Sequence, residues 1–123
     1  MDTQTQDLRA TTLNKVLSWM KSKGYGKIKA KADGYEEPSA FTRSETDRSF
    51  IPDATAVRRN KKNYFEVAIK SDDMKRVIRK WKLLSTIAGM KNGKLFLFAP
   101  RGHKAFTQRI VKERNLNAEV ISI

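Results

Sequence analysis

Leu13, Val16, Leu17 and Met20 recur at intervals of three and four residues. Their side chains therefore share one face of a helix predicted over residues 6–23 and closed by Gly24 and Gly26. The period then changes to two. From Lys27 to Asp33, Ile28, Ala30 and Ala32 fall on one side and Lys27, Lys29 and Lys31 on the other, the pattern of a half-buried strand with a basic outer side. Residues 34–49, GYEEPSAFTRSETDRS, have no period and are rich in turn formers and carboxylates, so they read as a long loop, a feature usually functional or mobile.

Residues 50–59 and 63–70 predict two strands joined by a polar turn around Asn60-Lys61-Lys62-Asn63. Ser71 suits an N-cap, and Asp72 and Asp73 in the first turn suit the helix dipole. The second helix comes next, with Met74, Val77, Ile78, Trp81, Leu84 and Ala88 as its apolar stripe and an end between Gly89 and Gly93. Leu95 to Pro100, LFLFAP, is apolar on both faces, as a strand covered on both sides would be. A third helix over residues 103–115, with Phe106 and Ile110 inward, leads to a last strand, AEVISI. The expected fold is a single α/β domain, residues 1–123, with a mixed sheet flanked by helices in the order α-β-β-β-α-β-α-β. The first three strands form an antiparallel meander, and a helix between the third and fourth implies a parallel crossover. Trp19, Trp81 and Phe106 fall on these stripes and are expected to pack.

Charge adds a partner to this picture. The chain carries 26 Lys and Arg against 13 Asp and Glu, a formal net charge of +13. Eleven of the cations lie between Met74 and Lys112, where there is no carboxylate. Such a surface suits a polyanion, because each phosphate neutralised releases condensed counterions; a basic solvated face is the plainer explanation. The absence of cysteine excludes disulfides, a thiol nucleophile and thiolate-bound zinc or iron–sulfur centres, and the single His103 excludes a multi-histidine metal site. No apolar run approaches a membrane span and the first residues are polar and acidic, so a cytoplasmic protein without a membrane partner is expected.

The element order, with Pro52-Asp53 opening the second strand and Glu66 inside the third, resembles the PD-(D/E)XK nuclease superfamily, which includes restriction enzymes and junction-resolving endonucleases. The resemblance implies a restriction-endonuclease-like sheet and phosphodiester hydrolysis with Mg²⁺ or Mn²⁺. Asp53 and Glu66 would then be metal ligands, with the Val67 carbonyl as a further one, and a lysine would orient the water or offset charge. The superfamily's lysine stands two residues after the glutamate, where this chain has Ala68. Lys70, on the same side of the strand, and Lys82, on the following helix, are the candidates in its place. The first helix often supplies a further glutamate in this superfamily; here its inward face offers Leu13 and Val16, with Asn14 nearby.

Two strand registers are open. A turn centred between Arg59 and Asn60 sets Asp53 opposite Glu66, whereas a turn centred between Lys61 and Lys62 sets Asp53 opposite Lys70, with Glu66 roughly 13 Å along the ladder. The first functional expectation is an Mg²⁺-dependent DNA endonuclease, dimeric if it cuts both strands. The second is a catalytically inactive nucleic-acid-binding module of the same fold, and a third is a regulatory protein whose basic face docks an acidic partner. Lys29, Lys31, Arg76, Arg79, Lys80, Arg101, His103 and Lys104 are the candidate nucleic-acid contacts, although His103 also suits a plain surface position. Glu36, Glu37, Glu45 and Asp47 read as an exposed acidic loop rather than further ligands.

Overall fold

The computed structural model describes residues 3–43 and 48–123. The chain runs α1 (Thr3–Ser22), β1 (Gly26–Ala30), β2 (Phe41–Arg43), β3 (Arg48–Phe50), β4 (Ala54–Arg58), β5 (Lys61–Val67), α2 (Met74–Met90), β6 (Leu95–Ala99), α3 (Lys104–Glu113) and β7 (Ala118–Ser122). The main sheet has five strands in the order β1-β4-β5-β6-β7. The first three are antiparallel, and β6 and β7 add in parallel after their helices. This is the expected mixed α/β sheet, but the element order differs from expectation by two strands. Part of the segment read as a loop pairs as a small separate hairpin, β2 with β3. Glu45 and Asp47 lie outside the described residues.

Two apolar layers explain the arrangement. On one face, Leu13, Val16, Leu17 and Met20 of α1 pack on Ala54, Ala56, Phe65, Val67 and Phe98. On the other, Trp81, Leu84 and Ala88 of α2 and Ile110 of α3 pack on Tyr64, Ala68, Leu95, Leu97 and Ala99. β5 and β6 are thus covered on both sides, which is why LFLFA is apolar throughout. No helix among the described residues is long and apolar enough to cross a membrane.

The β4–β5 hairpin fixes which residues of the two strands face each other. Arg58 pairs with Lys61, leaving Arg59 and Asn60 as a two-residue loop with φ of 54° and 62°. Two consecutive left-handed residues make a type I′ turn, whose twist matches that of the strands it joins. The turn is therefore centred between Arg59 and Asn60, and the ladder that pairs Ala54 with Phe65 sets Asp53 opposite Glu66. Of the two registers open in the sequence, this is the first.

The α2 termini also differ from expectation in detail. Its N-cap is Asp73, whose Oδ1 accepts the Arg76 N–H at 3.3 Å; the expected cap, Ser71, instead uses Oγ to accept the Asp73 N–H. At the other end Asn92 takes the left-handed conformation, with φ of 58°, and Gly93 N–H returns to Ala88 O at 2.8 Å.

Candidate functional site

Asp53 enters β4 and Glu66 leaves β5, both on the sheet face that meets α2. Backbone groups hold the pair. Val67 N–H donates to Asp53 Oδ2 at 2.9 Å, and Asp53 N–H donates to Glu66 Oε2 at 2.7 Å. Each carboxylate thus spends one oxygen on the opposite strand and keeps the other free to face the same point. Lys80 Nζ occupies that point, 3.1 Å from Glu66 Oε1 and 3.7 Å from Asp53 Oδ1. Lys31 Nζ approaches Asp53 Oδ1 from the β1 side at 3.7 Å. Arg9 Nη1 lies 3.5 Å from both Asp53 Oδ2 and the Val67 carbonyl oxygen.

Burial makes these charges interact strongly. Asp53 and Glu66 are 4% and 3% exposed. Loss of water, and next the neighbouring Asp53 carboxylate, push Glu66 from the ordinary 4.5 up to about 7, against the opposing pull of Lys80 and of the Asp53 N–H. Burial alone would lower Lys80, but Glu66 and Asp53 together outweigh it and the ammonium ends above its ordinary value. Lys31 moves the other way: its burial, reinforced by the Lys80 charge, outweighs the two carboxylates. At neutral pH Lys80 is therefore a firmly held charge rather than a base.

A recess of about 660 Å³ opens beside the pair, between α1 and α2. Arg9, Lys31, Arg76 and Lys80 line it together with Asp53, Glu66 and Val67. Comparison with protein-family models, curated proteins and solved structures finds no match. The chemistry of the site is therefore carried by its own geometry.

Asp53, Glu66 and Val67, the expected ligands, come together. Lys31 and Lys80, expected on a nucleic-acid backbone, instead meet the carboxylates. Arg76 lines the recess, with Nη2 donating to Ser49 O and its guanidinium 4.7 Å from the Phe50 ring. Lys70 and Lys82 are not brought to the pair: Lys70 Nζ lies 5.0 Å from the Phe106 ring, and Lys82 is exposed on α2. His103 Nδ1 accepts the Lys70 N–H at 3.1 Å. Arg79, Arg101 and Lys104 are exposed, and Lys29 pairs with the exposed Glu36 at 3.1 Å. Asn14 faces solvent, and the cation that α1 sends to the site is Arg9, beside Gln6 in the recess lining, neither of which the sequence pattern singled out.

Lys80 and Arg9 each carried a signal nonetheless. Val77, Lys80 and Leu84 are spaced three and four apart, and Arg9 stands four residues before Leu13. A cation inside an apolar stripe points at the core and must find a partner there.

Chemically, the free Asp53 Oδ1 and Glu66 Oε1 already converge on a cation, the Lys80 ammonium. Oxygen donors of this kind suit a hard divalent ion that keeps several waters, and the Val67 carbonyl lies nearby, on the Arg9 side of Asp53. Among the described residues no third His, Cys, Asp or Glu side chain joins the pair to make a group of three.

Proposed function

We propose that this chain is a metal-dependent nuclease of the PD-(D/E)XK type, acting on DNA. The observation that supports this reading is the hairpin register, which sets Asp53 opposite Glu66 beside a cationic recess that Val67 also lines. Asp53 and Glu66 would hold Mg²⁺ or Mn²⁺, with Val67 O completing the protein's share. Such an ion supplies a water of lowered pKa and stabilises charge on the attacked phosphate. Lys80 would take the part of the missing lysine at Ala68: its ammonium, now at the point where the two carboxylates converge, would give way to the ion and turn to the phosphate and the attacking water. Lys31, Arg9 and Arg76 bring further positive charge to the recess, and Arg79, Arg101 and Lys104 extend the basic surface along the duplex backbone. Cutting both strands calls for two copies, hence a homodimer on the substrate.

A second reading, a nucleic-acid-binding module without chemistry, is favoured by one observation. Three cations, Arg9, Lys31 and Lys80, already neutralise the two carboxylates. The test is cleavage of supercoiled, single-stranded and branched DNA with Mg²⁺ or Mn²⁺, beside Asp53→Asn. Metal-dependent cutting that the variant loses supports the nuclease. Binding without cutting on every substrate rejects it in favour of the silent module.

A further inference from the structure

The carboxylate site uses one end of the sheet; the opposite end holds a second recess, of about 450 Å³, that the nuclease reading leaves without a role. α1 and the turn after it cover this sheet face only as far as Trp19 and Lys23. Beyond them Arg58 of β4, Lys61 of β5, Phe96 of β6 and Ile121 of β7 line an open strip. Lys61 is five residues from Glu66 along β5, so the two recesses are separated by roughly 16 Å of strand.

The strip has an aromatic floor. Trp19 and Tyr25 stack with ring centres 6.0 Å apart at 26°, and Phe96 lies 5.9 Å from Trp19 and 6.5 Å from Tyr25. Phe96 is buried, whereas Trp19 and Tyr25 are only half-buried and keep surface toward the recess. Five cations, Lys23, Arg58, Arg59, Lys61 and Lys94, line it against one carboxylate, Glu119. Two of them already lie against rings: Lys23 Nζ is 5.8 Å from Trp19 and Arg58 Cζ is 5.6 Å from Tyr25. Arg59 holds its position in the left-handed region, an unfavourable place for a side chain with a Cβ.

Aromatic surface and positive charge together select the partner. A duplex keeps its base faces stacked inside and meets only the cations. An acidic peptide offers negative charge but no flat rings. A single strand offers both, its bases stacking on aromatic or guanidinium planes while its phosphates meet cations.

We propose that this recess is a second nucleic-acid site, which takes a single strand with bases on Trp19 and Tyr25 and phosphates on Arg59, Lys61 and Lys94. The proposal rests on the nucleic-acid reading above but not on its metal. A strand held here and a scissile phosphate at Asp53 would lie at opposite ends of one sheet, as a substrate with a single-stranded tail requires.

The test is fluorescence anisotropy in EDTA, where no metal-dependent cutting occurs, with a labelled oligothymidylate and a duplex of equal length. Arg59→Gly/Lys61→Ser/Lys94→Ser removes three exposed charges and, at Arg59, relieves the backbone. Lys15→Ser/Lys75→Ser/Lys112→Ser removes three exposed charges elsewhere. The first variant should lose at least about tenfold in affinity for the single strand and about two units of salt slope, because single strands release roughly 0.7 counterion per phosphate neutralised. Its duplex affinity, and the single-strand affinity of the second variant, should stay within about threefold. Photo-crosslinking of a bromodeoxyuridine oligonucleotide should label Trp19 or Tyr25. Equal losses in the two variants, labelling elsewhere, or no single-strand binding by the unaltered protein would each overturn the proposal. Failure of the nuclease reading would appear separately, as uncut DNA in Mg²⁺ with binding retained.

Discussion

Lys80→Met keeps the aliphatic stem that crosses the α2 interface and removes only the ammonium. What remains is a pair of nearly fully buried carboxylates, each tied to the other strand's backbone, with Arg9 and Lys31 still beside Asp53 but the cation nearest Glu66 gone. At an effective dielectric of about 20, a unit charge at 3.1 Å from Glu66 interacts by about 5 kcal/mol, and at 3.7 Å from Asp53 by somewhat less. The substitution also removes the cost of burying the ammonium, so the net loss on breaking a buried pair is about 3–5 kcal/mol. The loss depends on pH in a defined direction. Glu66 titrates at about 7 in the folded chain against an ordinary 4.5. The folded state therefore binds this proton more tightly, and stability falls as pH rises from about 4.5 to 7, by roughly 3 kcal/mol at about 1.4 kcal/mol per unit. Lys80 is one of the influences holding Glu66 down, so its removal carries the upper end of that window above 7. Urea unfolding at pH 5, 7 and 9 should show a deficit of about 1 kcal/mol at pH 5, where Glu66 is protonated in both proteins. At pH 9 the deficit should reach about 3–5 kcal/mol. A deficit independent of pH, or none at pH 9, would refute the electrostatic account of the site.

Gly93→Ala should destabilise by about 1–3 kcal/mol in the same assay, because a Cβ there would lie 1.9 Å from the Lys62 carbonyl oxygen, a backbone atom that cannot step aside. Arg59→Gly should be neutral or stabilising by up to about 1 kcal/mol in thermal unfolding, since glycine adopts the required φ of 54° without steric cost. Millimolar Mg²⁺ should raise the melting temperature of the unaltered protein in calorimetry and leave that of Asp53→Asn unchanged, because a ligand that binds only the folded state stabilises it.

Much of this architecture was legible because its elements are long and periodic: the three helices and the five strands of the main sheet all announce themselves by a change of period. The β2–β3 hairpin was not, because its three-residue strands carry only Phe41 and Phe50 as large apolar side chains, too few to establish alternation. The register was ambiguous for a local reason. Asn60 favours a left-handed turn position but Arg59 does not, so the polar Lys61-Lys62 pair competed as the turn centre. Asp53 and Glu66 were legible as carboxylates bordering paired strands. Their counter-charges were obscured because Arg9 and Lys80 occupy apolar stripes, where helical phase rather than proximity in sequence decides what a side chain meets. Lys82 stands only two residues from Lys80, about 200° away around the helix, and faces water.

The hairpin that sets the register also suggests an order of folding, by the lengths of chain its contacts span. Asp53 and Glu66 are 13 residues apart, so closing one tight turn suffices to bring them face to face, a local event of roughly 1–10 μs. Lys80 reaches them only after α2 has formed and docked, and Arg9 must come from 44 residues upstream. Loop-closure entropy favours short contacts over long ones, so the like charges are expected to meet before Lys80 and Arg9 reach them. The docking of α2 is thus expected to act as a clasp: the helix that closes this side of the core is also the one that brings the Lys80 ammonium to the two carboxylates.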